Sequence, residues 1–148
     1  MGRRLDHLLP WRLHLPAEHL QECPQRRDQP APGAPKYRGL GSQHYAIYYN
    51  DETYGSTCHH LAPSVDSGQI IDVARFNVAP AETASSLRLH VGAYCLQQFI
   101  HLLTDYILQG RPLPVSPENW GERLYKQSEL KPWMEKIRAQ EPDHRCFK

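Results

Sequence analysis

The triplet Cys58-His59-His60 is the densest grouping of chemistry-bearing side chains in the chain. On a strand, Cys58 and His60 point to one face and His59 to the other, so the element offers a metal only two ligands. A zinc centre takes three or four nitrogen or sulfur ligands, usually arriving as close pairs, and no second pair follows. His90, Cys95 and His101 fall in a helical pattern at spacings of five and six. The expectation is no metal and no cofactor, with Cys58 and His60 the only candidates for ligation and sheet packing the plainer account of both. Nucleophilic chemistry fares no better. Cys58 or Cys95 could meet any of nine histidines through sheer abundance. No G-x-S-x-G elbow, P-loop or G-x-G-x-x-G occurs, so no catalytic residue is expected.

Aromatic residues give a second reading. Tyr45, Tyr48, Tyr49 and Tyr54, with His60, could form a sheet platform that stacks on bases or on a partner. These five are the candidate binding residues. Strand preference and core packing explain the same residues without a ligand.

The elements that would carry them follow from periodicity. Residues 44–49 alternate Tyr45, Ile47 and Tyr49 against His44, Ala46 and Tyr48, a strand pattern. Asn50-Asp51-Glu52 supplies a turn, and strands are expected over 53–61 and 69–78, separated by a loop over 62–68. From Pro80 to Gln109 the period changes. Leu87, Val91, Cys95, Phe99, Leu102 and Tyr106 recur every three or four residues, widened by Leu96, Ile100, Leu103 and Ile107. Gly110 and Pro112 stop that helix, Ser116-Pro117 starts another, and Pro132 can open a last one. The fold class is α+β: a small antiparallel three-stranded sheet packed by one long amphipathic helix, with short C-terminal helices.

The 148 residues suit one domain, and the net charge of +1 excludes a strongly basic nucleic-acid binder. That total hides a partition. Residues 1–43 carry seven bases against four acids and six of the 13 prolines; residues 44–117 carry three bases against six acids. The expected organisation is a proline-rich, disordered basic arm over 1–43 and a single α+β domain over 44–148. Pro10 interrupts any secretory core and no apolar run is long enough to span a membrane, so a cytoplasmic protein with reduced cysteines is expected.

Two fragments together resemble the HicB-type antitoxins, whose partial RNase H-like domain opens with a strand pair around an acidic turn. Here that pair is Tyr45-Ala46-Ile47, through Asn50-Asp51-Glu52, to Tyr54-Gly55. The G-x-P-[IL]-P tail of the family's helix is matched by Gly110-Arg111-Pro112-Leu113-Pro114. The resemblance implies a non-enzymatic, protein-binding inhibitor of a basic partner such as a small ribonuclease toxin, often an oligomer. Acidic surfaces suit basic partners. Two alternatives stay open: a small enzyme using a His/Tyr/Cys cluster, and nucleic-acid binding through the basic arm. A protein partner and a homo-oligomer are both compatible with the reading; a membrane is not.

Overall fold

A computed structural model describes residues 28–148. Its elements in chain order are β1 (Asp28–Ala31), β2 (Arg38–Gly39), α1 (Ser42–Tyr48), β3 (Thr53–His60), β4 (Ile70–Asn77), α2 (Ala84–Leu102), β5 (Leu124–Tyr125) and α3 (Gln127–Gln140). A π-helical turn over Leu103–Ile107 extends α2, and a 3-10 turn over Arg145–Phe147 closes the chain.

The strand patterns read at 53–61 and 69–78 form an antiparallel hairpin, β3 with β4, from Thr53 opposite Asn77 to Cys58 opposite Asp72. A register shift follows between Cys58 and His59. β1 pairs antiparallel on the other side of β3, giving the order β1-β3-β4. β3 is therefore central, which is why every residue after Thr53 in it is buried. The architecture is α+β, with this small sheet packed by α2 and trailed by short helices. Among the described residues no helix is long and apolar enough to cross a membrane.

α2 starts at a reciprocal cap rather than at Pro80. The Thr83 hydroxyl accepts from the Ser86 N–H, and the Ser86 hydroxyl accepts from the Thr83 N–H at 2.9 Å. Leu87 and Val91 enter the core beside Tyr54, Phe76 and Ile47. Leu102 joins a smaller cluster with Cys58 and Ile71. The buried stripe is narrower than the spacing suggested, because Leu96, Phe99 and Ile100 stand exposed.

Several expectations are corrected. Residues 44–48 lie in a helix, α1, with Tyr49 at its C-cap, and not in a strand. Tyr45, Ala46 and Ile47 are all buried in succession, which a strand with one solvent face cannot achieve. Ser42, Tyr45 and Ala46 satisfy helical spacing as well as the alternation does. Ser116-Pro117 opens no helix; the Ser116 N–H instead donates to the Ile70 carbonyl at 3.0 Å. α3 begins at Gln127, five residues ahead of Pro132, which lies inside it.

Residues 28–43 of the expected arm fold into the body, while residues 1–27 lie outside the described residues. Tyr37 is buried and donates to Asp51 Oδ2 at 2.7 Å, and Lys36 Nζ reaches Asp51 Oδ1 at 2.8 Å. The acid of the body thus meets the base of the arm directly. β2 then pairs in parallel with β5, Arg38 opposite Leu124 and Gly39 opposite Tyr125.

Candidate functional site

The loop joining β3 to β4 is bent back on itself by two local features. Gly68 lies so close to the His60 carbonyl that a Cβ there would overlap it. Asp66 takes a left-handed backbone at φ 44°, which an aspartate tolerates better than most side chains. The bend aims the Asp66 carboxylate at β2. Its Oδ2 accepts from the Gly39 N–H at 2.7 Å, a charge-assisted bond, while Arg38 donates from Nη2 to the Val65 carbonyl at 3.1 Å. Gly39 itself sits at φ 96° with the Tyr125 carbonyl where a Cβ would go, so only glycine brings that N–H to the acid.

His59 stands on the other side of the carboxylate, almost fully buried. Its Nδ1 lies 2.9 Å from the His60 carbonyl; a carbonyl only accepts, so Nδ1 carries the hydrogen. Nε2 is then the nitrogen facing Asp66 Oδ1 at 3.6 Å, buried and without a hydrogen-bond partner among the described residues. The Trp120 indole packs edge-on against the imidazole with centroids 4.9 Å apart, and donates to the Gly68 carbonyl at 2.7 Å. Trp120 therefore seals the histidine and fastens the loop that bears the acid.

Asp66 and Trp120 face a cleft of about 410 Å³, within the size range of small-molecule sites. The end of β1, the turn Gly39-Leu40-Gly41, Val65 and Arg88 of α2 complete its walls. One partly buried carboxylate beside a buried imidazole can take a proton from a bound nucleophile. Leu40 and Val65, both more than half exposed, offer apolar rims.

The residues expected from sequence are placed elsewhere. Tyr45 packs in the core against Tyr125 and Trp133, at 4.4 Å from each ring, with Tyr48 beside Trp133 and Tyr49 half exposed. Tyr54 is buried on β3 and donates to Ser42 Oγ at 2.6 Å. Tyr45 and Tyr48 ride α1, Tyr49 caps its C-terminus and Tyr54 is on the sheet, so they share no platform. Cys58 is buried with Ile71 and Leu102, and His60 is buried at the end of β3. Among the described residues no group of three His, Cys, Asp or Glu is placed to hold a metal. Asp66 was not among the candidates, being a single acid in a loop of small residues. The one signal for it was its place beside Gly68 between two strands.

No family model matches the chain. It is 27% identical over 103 residues to the methionyl-tRNA formyltransferase of Burkholderia ambifaria, covering 67% of this chain and 32% of that one. To the methionyl-tRNA formyltransferase of Mycobacterium leprae it is 32% identical over 93 residues, covering 61% and 29%. Among solved structures it is similar to the N-formyltransferase of Helicobacter canadensis in complex with folinic acid and dTDP-3-aminofucose. The TM-score there is 0.60 with 22% identity, over 69% of this chain and 38% of that one. The chain spans about a third of the length of the curated relatives it matches.

These similarities overturn the resemblance to HicB-type antitoxins, and with it the non-enzymatic inhibitor of a basic partner, since formyltransferases are enzymes. The fragment that carried the resemblance is also wrong in kind, because Tyr45-Ala46-Ile47 is helical. An enzyme built on a His/Tyr/Cys cluster is set aside by the dispersal of those side chains. Nucleic-acid binding through a basic arm gives way to the same relatives, and Lys36 of that arm is engaged with Asp51. Over about two-thirds of its length the chain shares the fold of the matched 38% of the Helicobacter canadensis N-formyltransferase.

Proposed function

We propose that this chain contributes the acid-bearing part of a formyl-transfer site, moving a formyl group from a reduced-folate donor to an amine. The observation that carries this reading is the Asp66 carboxylate. It is held by the Gly39 N–H, backed by His59, and opens on the cleft of a chain similar to formyltransferases. The apolar rims at Leu40 and Val65 beside the carboxylate fit a flat heterocycle with hydrogen-bonding edges. When bound, the donor supplies the electrophilic formyl carbon.

What the chain's own residues do is hold and move a proton. The amine nitrogen forms a bond to the formyl carbon, and the bond from that carbon to the donor nitrogen breaks. The proton shed by the amine passes to Asp66 Oδ1, the oxygen that the Gly39 N–H leaves open. Asp66 then gives that proton to the leaving nitrogen, which restores the carboxylate. His59 Nε2 lies 3.6 Å from the same oxygen without a hydrogen bond to it. Arg88, which also lines the cleft, suits an anionic group of the acceptor.

The test is to supply 10-formyltetrahydrofolate with either a nucleotide-linked amino sugar or methionyl-tRNA, and to weigh the acceptor for one added formyl group. One acceptor should be formylated, and Asp66→Asn should slow transfer by at least roughly a hundredfold while folinic acid still quenches Trp120 fluorescence. Transfer to neither acceptor overturns the catalytic reading, and absence of folinic acid binding overturns the donor.

A further inference from the structure

We propose that the outer face of α2 is an interface between two copies of this chain, packed antiparallel about the level of Gln98. The face is built from Leu89, Leu96, Phe99 and Ile100 of α2, continued by Ile107 at the end of the π turn and by Leu108 just after it, and each of these is about half exposed or more. Leu89 is 79% and Leu108 69% exposed, values that leave a large aliphatic side chain almost wholly in water. Together the six present roughly 600 Å² of apolar surface, at the upper end of what a monomer normally shows.

The spacing identifies the occupant. Leu89, Ala93, Leu96, Ile100, Leu103 and Ile107 follow steps of four, three, four, three and four, the repeat of a helix seam that another helix packs along. Read in the opposite direction the series is the same. An antiparallel copy therefore sets Leu89 against Ile107 of the second copy, Ala93 against Leu103, and Leu96 against Ile100. A two-fold interface requires this: if one residue meets another, the reverse contact must also form. The small Ala93 faces the larger Leu103, and Phe99 meets its own counterpart beside the axis.

The flanks point the same way. His90, Gln97 and Thr104 on one side of the seam, and Gly92 and Phe99 on the other, carry no fixed charge. Foreign helices are usually selected by charges at such positions, and a neutral flank leaves self-pairing unopposed. A pair would bury roughly 1,200 Å², where specific interfaces begin. This interface does not depend on the reaction proposed above.

Sedimentation equilibrium on the full chain tests this. The protein should be a monomer–dimer mixture, and Leu96→Glu should weaken the dimer at least about a hundredfold, since the change is felt twice per interface. Lys131→Glu, on α3, should leave association unchanged. Circular dichroism would report that both variants stay folded, as both side chains are exposed. The double variant Leu96→Cys, Ile100→Cys should form an intermolecular disulfide under mild oxidation, whereas Leu89→Cys, Leu96→Cys should not. A monomer at all concentrations overturns the proposal, as does a dimer indifferent to Leu96→Glu. Cross-linking in the second pair, with or without the first, overturns the antiparallel register.

Discussion

Replacing Gly39 by alanine tests how firmly the acid is held. The new Cβ would enter a backbone conformation at φ 96° and overlap the Tyr125 carbonyl, so β2 must move away from β5. A left-handed alanine costs about 1–2 kcal/mol before any overlap. Moving β2 also draws the Gly39 N–H from Asp66 Oδ2, now 2.7 Å away, and a hydrogen bond to a charged group contributes about 1.5–3 kcal/mol. The combined loss is about 3–5 kcal/mol, or on the order of 10–20 °C in Tm for a chain of this size. Urea denaturation of Gly39→Ala, Asp66→Asn and the double variant closes a cycle. Asp66→Asn keeps an acceptor oxygen but removes the charge, so it should cost about 1 kcal/mol and couple to Gly39→Ala by a similar amount. A Gly39→Ala loss below about 1 kcal/mol, or a coupling below about 0.3 kcal/mol, would refute the idea that this N–H fixes the carboxylate.

Gln98 is buried, accepting from Ser56 Oγ at 2.9 Å and donating to Asp72 Oδ2 at 2.7 Å. Gln98→Leu strands both partners and should cost about 2–4 kcal/mol in urea denaturation. Arg75 holds the Glu118 carboxyl below the usual carboxylate range, so this pair stabilises at neutral pH and its contribution is lost as pH falls through that depressed value. Because the two side chains are 43% and 33% exposed, Glu118→Gln should cost at most about 1 kcal/mol at pH 7, with the difference from the parent vanishing in acid. Burial raises the Tyr37 and Tyr54 phenols above the ordinary value, Tyr37 also through its bond to Asp51. Their stabilisation is complete below about pH 10 and declines above it. Thermal melts should therefore fall more steeply with rising alkaline pH in the parent than in Tyr37→Phe.

The hairpin was legible because 53–61 and 69–78 each alternate long enough for only one period to fit, and turn residues bound both. The long helix was legible for the same reason, and Gly110 does adopt the positive φ of a helix stop. Residues 44–49 were not, since six residues satisfy a strand and a helix equally. The choice was made by a core that buries Tyr45, Ala46 and Ile47 together. β1 escaped notice because Pro30 and Pro32 look like a linker, yet an edge strand has an outer side where a missing N–H costs nothing. Asp66 could not be read as a site, because what makes it one is a backbone N–H some way up the chain and an indole far down it. Neither leaves a mark on local sequence.

The parallel pairing of Arg38 with Leu124 also orders events during synthesis. Gly39 is emitted early, but the strand that sets its position is translated some eighty residues later, roughly 4–17 s at ordinary elongation rates. The hairpin and the long helix can form in that interval from neighbouring sequence alone. The acid cannot be seated until Tyr125 arrives, so a nascent chain acquires its scaffold first and its candidate active pocket last. A ribosome pause or truncation before Leu124 would yield a product that still contains its sheet and long helix but cannot seat Asp66.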